Sequence, residues 1–216
     1  DKFRDSLMTQ KAIDSAIRGA NGLPINIIVM EGGVGQYHNA TTVPKREKFN
    51  YNRFANEGAA LGKAEWIMIA NNDLEFTDGW LHNLLSADNP VVSPHEPNDA
   101  RQKGIIENEP GFECGRNFCG WCFMISRELW LEIGKFDEDV DFWCSDDVVI
   151  EQVRAKGVTP LLVKESIVHH AGSVTLKQQT EEVQTDWKWR NVFIFNTKYG
   201  KNKFAAGPIL KLAQCF

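Results

Sequence analysis

Short apolar runs alternate with segments of helical period along most of this chain, and that alternation restricts the fold more than any other feature. Residues 25–30, 66–70, 90–94, 120–125 and 158–163 read as buried strands: apolar, continuous, and too short for helices. Between them, residues 4–18, 49–61, 127–133 and 147–156 repeat apolar side chains at helical spacing. Thr77 reads as the cap of a further short helix, and residues 176–199 as a long C-terminal one rich in Trp187, Trp189, Phe193 and Phe195. Strands alternating with helices imply an α/β fold, with a mostly parallel central sheet and helices on both faces. The 216 residues suffice for one such domain and are short for two. The expected organisation is a domain over residues 1–175, with residues 176–216 as a C-terminal helical extension packed on it. Residues 95–117 lose all periodicity. A loop of that length in a compact domain is a lid or binding segment, or else a surface insertion.

The chemistry begins where two apolar stretches stop. The run Ile67-Met68-Ile69-Ala70 ends in Asn71-Asn72-Asp73, and a second acidic segment, Ser145-Asp146-Asp147, opens the helix at residues 147–156. A carboxylate closing a buried strand lies at the sheet's carboxyl edge, where open α/β folds bind ligands. Two such acidic ends facing one cleft can supply a metal ligand and a general base. At Glu31 the first apolar run also stops, and Gly32, Gly33 and Gly35 follow; they form either a loop that lets a ligand approach the backbone or an ordinary turn.

Bulk properties narrow the partners. No apolar run approaches the roughly 18–20 residues that cross a bilayer, and no signal-peptide pattern opens the chain. A net charge of −5 argues against a surface built to neutralise many phosphates. A local basic stretch remains in Lys188, Arg190, Lys198, Lys201, Lys203 and Lys211, which face few acids in sequence. Three of the 5 cysteines, Cys114, Cys119 and Cys122, have a spacing that suggests zinc, but the fourth ligand would be the distant Cys144 or a histidine. They read better as buried thiols of a reducing, cytoplasmic compartment.

Taken in order, Asn56-Glu57-Gly58, Asn71-Asn72-Asp73-Leu74-Glu75, Gly79-Trp80-Leu81, residues 120–127, Gly134 to Glu138, Ser145-Asp146-Asp147 and His170-Ala171-Gly172-Ser173 resemble the motifs of a family 2 glycosyltransferase with the GT-A (Rossmann-like) fold. The resemblance spans residues 25–173 and implies an inverting transfer of one sugar from a nucleotide-diphospho sugar to an acceptor hydroxyl. A UDP-sugar is favoured as donor, with Mn²⁺ or Mg²⁺ on its diphosphate. Asp73 matches the metal ligand, with Asn71 and Asn72 beside the donor and His170 as a second metal or diphosphate contact. Asp147 matches the general base, and Asp146 orients the acceptor or its loop. Glu31 and Gly32 match the nucleoside end, Arg53 and Asn56 the helix facing the donor. Gly120, Trp121 and Asp137 match the acceptor side, where an aromatic face suits the C–H face of a sugar. The implied acceptors are a glycan, a protein or a small molecule, with a nucleic-acid base kept open by the basic stretch. The chain departs from the family at Asn71, where an acid is usual, and at Glu31, where Asp is usual. The family's first strand is expected upstream of residue 1. Two other readings stay open: a retaining transferase on the same fold, and a carbohydrate-binding module whose site has decayed.

Overall fold

The computed structural model describes residues 2–172 and 181–202. The start of the expected C-terminal helix at residue 176, Ser173, Lys203 and Lys211 lie outside the described residues. The elements are α1 (Lys2–Gly19), β1 (Ile28–Glu31), β2 (Thr41–Pro44), α2 (Tyr51–Leu61), β3 (Trp66–Ala70), β4 (Leu74–Phe76) and α3 (Trp80–Leu85). They continue with β5 (Val91–His95), β6 (Glu109–Pro110), β7 (Cys122–Ser126), α4 (Arg127–Glu132), α5 (Ser145–Ala155), β8 (Leu161–His170) and α6 (Glu181–Tyr199).

Six strands form one sheet in the order β3-β7-β5-β8-β4, with β6 on β8, while β1 and β2 make a separate parallel pair. β3, β5 and β8 share one direction, and β7, β4 and β6 are laid antiparallel among them, so the sheet is mixed. The chain leaves β5 through residues 96–117 and returns as antiparallel β7, a connection that needs no crossover helix. β7 is buried almost throughout, as a central strand must be. Its alternate side chains feed two cores: Cys122 and Met124 join Val92 under α1 and α3, whereas Phe123 and Ile125 join Val91 and Ile67 under α2, α4 and α5. The strand period of two thus places helices on both faces. A third cluster, Val140, Cys144 and Val148 against Val192 and Phe195, fastens α6 to the segment that carries Asp146 and Asp147.

Local chemistry explains the ends. The Asn50 side chain accepts from Arg53 N at 2.8 Å to cap α2, and Ser126 accepts from Leu129 N at 3.2 Å to cap α4. Thr77 does not cap α3; its hydroxyl donates to Ile167 O at 2.8 Å, and left-handed Gly79 takes the capping position. β8 runs to His170, well past residue 163, because it is paired on both sides. Its register on β5 slips at Pro94, which has no N–H to give to the ladder.

Candidate functional site

The turn after β3 makes the first half of the site. Asn71 N donates to Trp121 O at 2.9 Å, and the Asn72 amide donates to Thr9 Oγ1 of α1 at 3.1 Å. This holds Asp73, 7% exposed, at the start of β4. The β4–β8 register sets Leu74 opposite His170, and Asp73 O accepts from Ala171 N at 3.0 Å. As a result His170 Nε2 lies 3.2 Å from Asp73 Oδ1. The two are not aligned as a hydrogen bond, and the buried Nε2 has no such partner. The imidazole is stacked on Trp121, 5.0 Å between centroids and 16° from parallel. A carboxylate oxygen beside an uncommitted imidazole nitrogen is a mixed O/N donor pair that could hold a divalent cation.

The second half begins at α5. Cys144 stands in the left-handed conformation at its N-cap, and Asp146 and Asp147 occupy the first turn, where the helix dipole favours negative charge. Cys114 Sγ donates to Asp146 Oδ2 at 2.8 Å, and Asp147 N donates to Asp146 Oδ1 at 3.0 Å. The ligand atoms of Cys114, Asp146 and Asp147 lie within 4.8 Å of one another, the one such group among the described residues. Gly120 is required here. A Cβ on it would come 2.7 Å from Asp146 Cβ and 2.9 Å from Oδ2. The half-buried Tyr51 hydroxyl donates to Gly120 O at 2.6 Å, and desolvation with the nearby Asp146 charge pushes its ionisation far up.

Gly120 and Trp121 therefore join the halves: one residue abuts Asp146 and the next stacks on His170. A cleft of about 820 Å³ opens on one side of this seam. Asp73 and His170 lie on its wall together with Glu75, Glu96, Asp99 and His169, and Lys11, Asp14 and Arg18 of α1 face them. Asp146, Asp147, Gly120 and Trp121 are not among its lining residues, so the two acidic ends adjoin through the seam and do not share this cleft wall. Glu96 is 5% exposed. Its carboxylate accepts from His170 N at 2.7 Å and Asn98 N at 2.9 Å, with His169 Nδ1 at 3.3 Å. Burial pushes that carboxyl up, but these donors outweigh it and hold it below its usual range. Residues 96–117 are no loose lid. Fully buried Gln102 accepts from Glu96 N at 2.7 Å and donates to Arg116 O at 2.8 Å.

Other expected site residues are spent on the scaffold. Asn56 donates to Phe136 O and Glu138 Oε1 at 2.8 Å each, and accepts from Phe136 N at 3.0 Å and Trp130 Nε1 at 3.2 Å. No valence is left for a donor. Asp137 accepts from Tyr199 at 2.6 Å and pairs with Lys198 at 2.7 Å, which anchors α6 and leaves little of the carboxylate for an acceptor. Arg53 donates to Lys48 O at 2.6 Å. Glu31 accepts from Gly33 N at 2.6 Å and from the Tyr37 hydroxyl, while Gly32 has open space around it. The basic stretch also finds acids: Arg190 meets Asp141, Lys198 meets Asp137 and Asp139, and Lys201 meets Glu151. These pairs take up the charge of Arg190, Lys198 and Lys201. Cys119 and Cys122 are fully buried, with burial pushing Cys119 up to about 12, far from the thiolate zinc needs.

Sequence reasoning missed Glu96, Lys11, Arg18 and Trp143. The last lies four residues before Asp147 and keeps a buried indole N–H without a partner. An aromatic beside an acidic helix start was a usable signal; Glu96 in an aperiodic stretch gave none.

No family model and no curated protein matches the chain. Solved structures do. The mannosyltransferase PcManGT from Pyrobaculum calidifontis, in complex with GDP-Man and Mn²⁺, is 16% identical at a TM-score of 0.55, over 77% of this chain and 53% of its own. The chain thus spans about half the length of that protein. The catalytic domain of Drosophila beta1,4-galactosyltransferase 7 in complex with xylobiose is 14% identical at 0.53, over 84% of this chain and 71% of its own. A mutant of the same enzyme holding manganese, UDP-Gal and xylobiose gives 0.54 over the same shares. The fold is that of GT-A-type glycosyltransferases.

Proposed function

We propose that this chain transfers one sugar from a nucleotide-diphospho sugar to an acceptor hydroxyl. The observation that carries the reading is the Gly120–Trp121 seam, which puts a buried carboxylate–imidazole pair and an acidic helix start on consecutive residues. Mn²⁺-bound and nucleotide-sugar-bound transferases of the same fold support it.

Asp73 and His170 would hold a divalent cation, which supplies charge neutralisation for the departing diphosphate. The cleft itself calls for one. Five carboxylates line it (Asp14, Asp73, Glu75, Glu96 and Asp99) against the cations Lys11 and Arg18, so a diphosphate entering bare would meet net repulsion. Across the seam, Asp147 removes the proton from the acceptor hydroxyl, and attack on the side opposite the diphosphate inverts the anomeric centre. Asp146, held by the Cys114 thiol, fixes the turn that presents Asp147. The acceptor class favoured is a carbohydrate, the class of ligand that xylobiose represents in a transferase of the same fold.

The test is a screen of UDP-, GDP- and dTDP-sugars with and without Mn²⁺, read as thermal stabilisation and release of the free nucleotide. A donor that stabilises only with Mn²⁺ and turns over is expected. Asp147→Asn should abolish transfer while keeping that stabilisation, and the product anomer by NMR decides between inversion and retention. Donor binding without any turnover would leave a carbohydrate-binding module. No response to any donor would sink the proposal.

A further inference from the structure

We infer that Glu96 is a positioning residue for His170, acting through the backbone of β8's last turn. The inference rests on the assignment of Asp73 and His170 to the cation side. Glu96 is the first residue after β5, and its two carboxylate oxygens are divided. Oε2 accepts from His170 N at 2.7 Å; Oε1 accepts from Asn98 N at 2.9 Å and lies 3.3 Å from His169 Nδ1. Its own N–H donates to the fully buried Gln102 at 2.7 Å, so the carboxylate is delivered from a rigid base.

At this point β8 needs such a clasp. It pairs with β5 only as far as His95–Ile167, and on its other side β4 is three residues long. The last two residues, His169 and His170, thus depend on β4 along one edge and on Glu96 along the other. What Glu96 fixes is the backbone from which the imidazole reaches both Trp121, 5.0 Å away in a stack, and Asp73 Oδ1 at 3.2 Å. A carboxylate is the group that fits, because a backbone N–H faces each of its two oxygens. An amide has one acceptor oxygen and one NH₂, so Glu96→Gln turns a donor toward one of those N–H groups whichever way it is set.

The experiment uses the whole chain and two readouts. In the wild type, ring protons of His170 should be shifted upfield by the Trp121 ring, and replacing Trp121 with Leu should assign that shift. Glu96→Gln should lose it. Mn²⁺ alone, titrated by electron paramagnetic resonance, should bind about 10–100-fold more weakly to Glu96→Gln, the usual effect of removing a residue that orients a metal ligand. The far-UV circular dichroism of Glu96→Gln should match wild type, which a general loss of structure would not allow. Glu96→Asp keeps the charge and shortens its reach, so it should fall between the two and replaces Glu96→Gln should that variant not fold. A folded Glu96→Gln protein with an unchanged His170 shift overturns the inference. If the wild type binds no Mn²⁺, the donor-site reading falls, and the His170 shift still decides what Glu96 does.

Discussion

Adding one methyl group at Gly120 tests whether the acidic helix start belongs to the reaction. In Gly120→Ala the new Cβ would lie 2.7 Å from Asp146 Cβ, 2.9 Å from Oδ2 and 3.1 Å from Cγ. Carbon atoms rest about 3.5–4.0 Å apart, so Asp146 must retreat by about 1 Å. It cannot do so freely. Cys114 holds Oδ2 at 2.8 Å and Asp147 N holds Oδ1 at 3.0 Å, so the displacement passes to Asp147. A misplacement of about 1 Å at a reacting group costs about 100-fold in rate, equivalent to about 2.7 kcal/mol of barrier. Overpacking of this kind also costs about 1–3 kcal/mol of stability. The expected result is a kcat lowered about 100-fold, a melting temperature a few degrees lower, and Mn²⁺-dependent donor binding unchanged, measured by nucleotide release and thermal shift. Gly32→Ala is the matched control for stability, since nothing lies within 4 Å of a Cβ there, and its melting temperature should stay at the wild-type value. A folded Gly120→Ala variant with wild-type kcat would show that Asp146 and Asp147 stand apart from the chemistry.

Three further outcomes are expected. Asn56→Ala orphans the buried donors Phe136 N and Trp130 Nε1, at about 1–3 kcal/mol each, so urea unfolding should report a loss of about 2–6 kcal/mol with donor affinity of the folded protein unchanged. Asp73→Ala should abolish Mn²⁺-dependent stabilisation by donor; undiminished stabilisation would place the cation elsewhere, with Cys114, Asp146 and Asp147 as the next candidates. Acid should loosen α6. Burial pushes Asp137 and Asp141 up, but Lys198 and Tyr199 on the first, and Asn191 and Lys48 on the second, hold both below the ordinary 3.8. A depressed carboxyl stabilises fully above its ordinary value and loses that contribution as pH falls through the lower folded one. Tryptophan fluorescence should therefore show an acid transition below about pH 3.8 that Asp137→Asn weakens, along with lower stability at pH 7.

Much of the frame was legible because it is local. The helix over residues 51–61, the strand over 66–70 and the helix over 127–132 appear where the apolar pattern puts them. β4 and the last half of β8 were not. A three-residue strand has too little pattern to read, and residues 164–170 carry Lys164, Glu165 and two histidines that become strand only because partners lie alongside. The site divides the same way. Asp73, His170, Gly120, Trp121 and Asp146–Asp147 were visible as motifs. Asn56 and Asp137 carried equally plausible motifs, yet packing consumed their hydrogen-bonding capacity.

The sequence alone determined an α/β domain with acidic strand and helix ends, since apolar period, turn residues and strand-ending carboxylates act over a few residues. Tertiary structure alone decided which of those polar groups stay free. A side chain's partners come from elements tens of residues away: Trp121 on His170, Glu96 under β8, Lys198 on Asp137. Hydrogen bonds and ring contacts reach only a few ångströms, so register and packing settle whether a carboxylate serves chemistry or the scaffold.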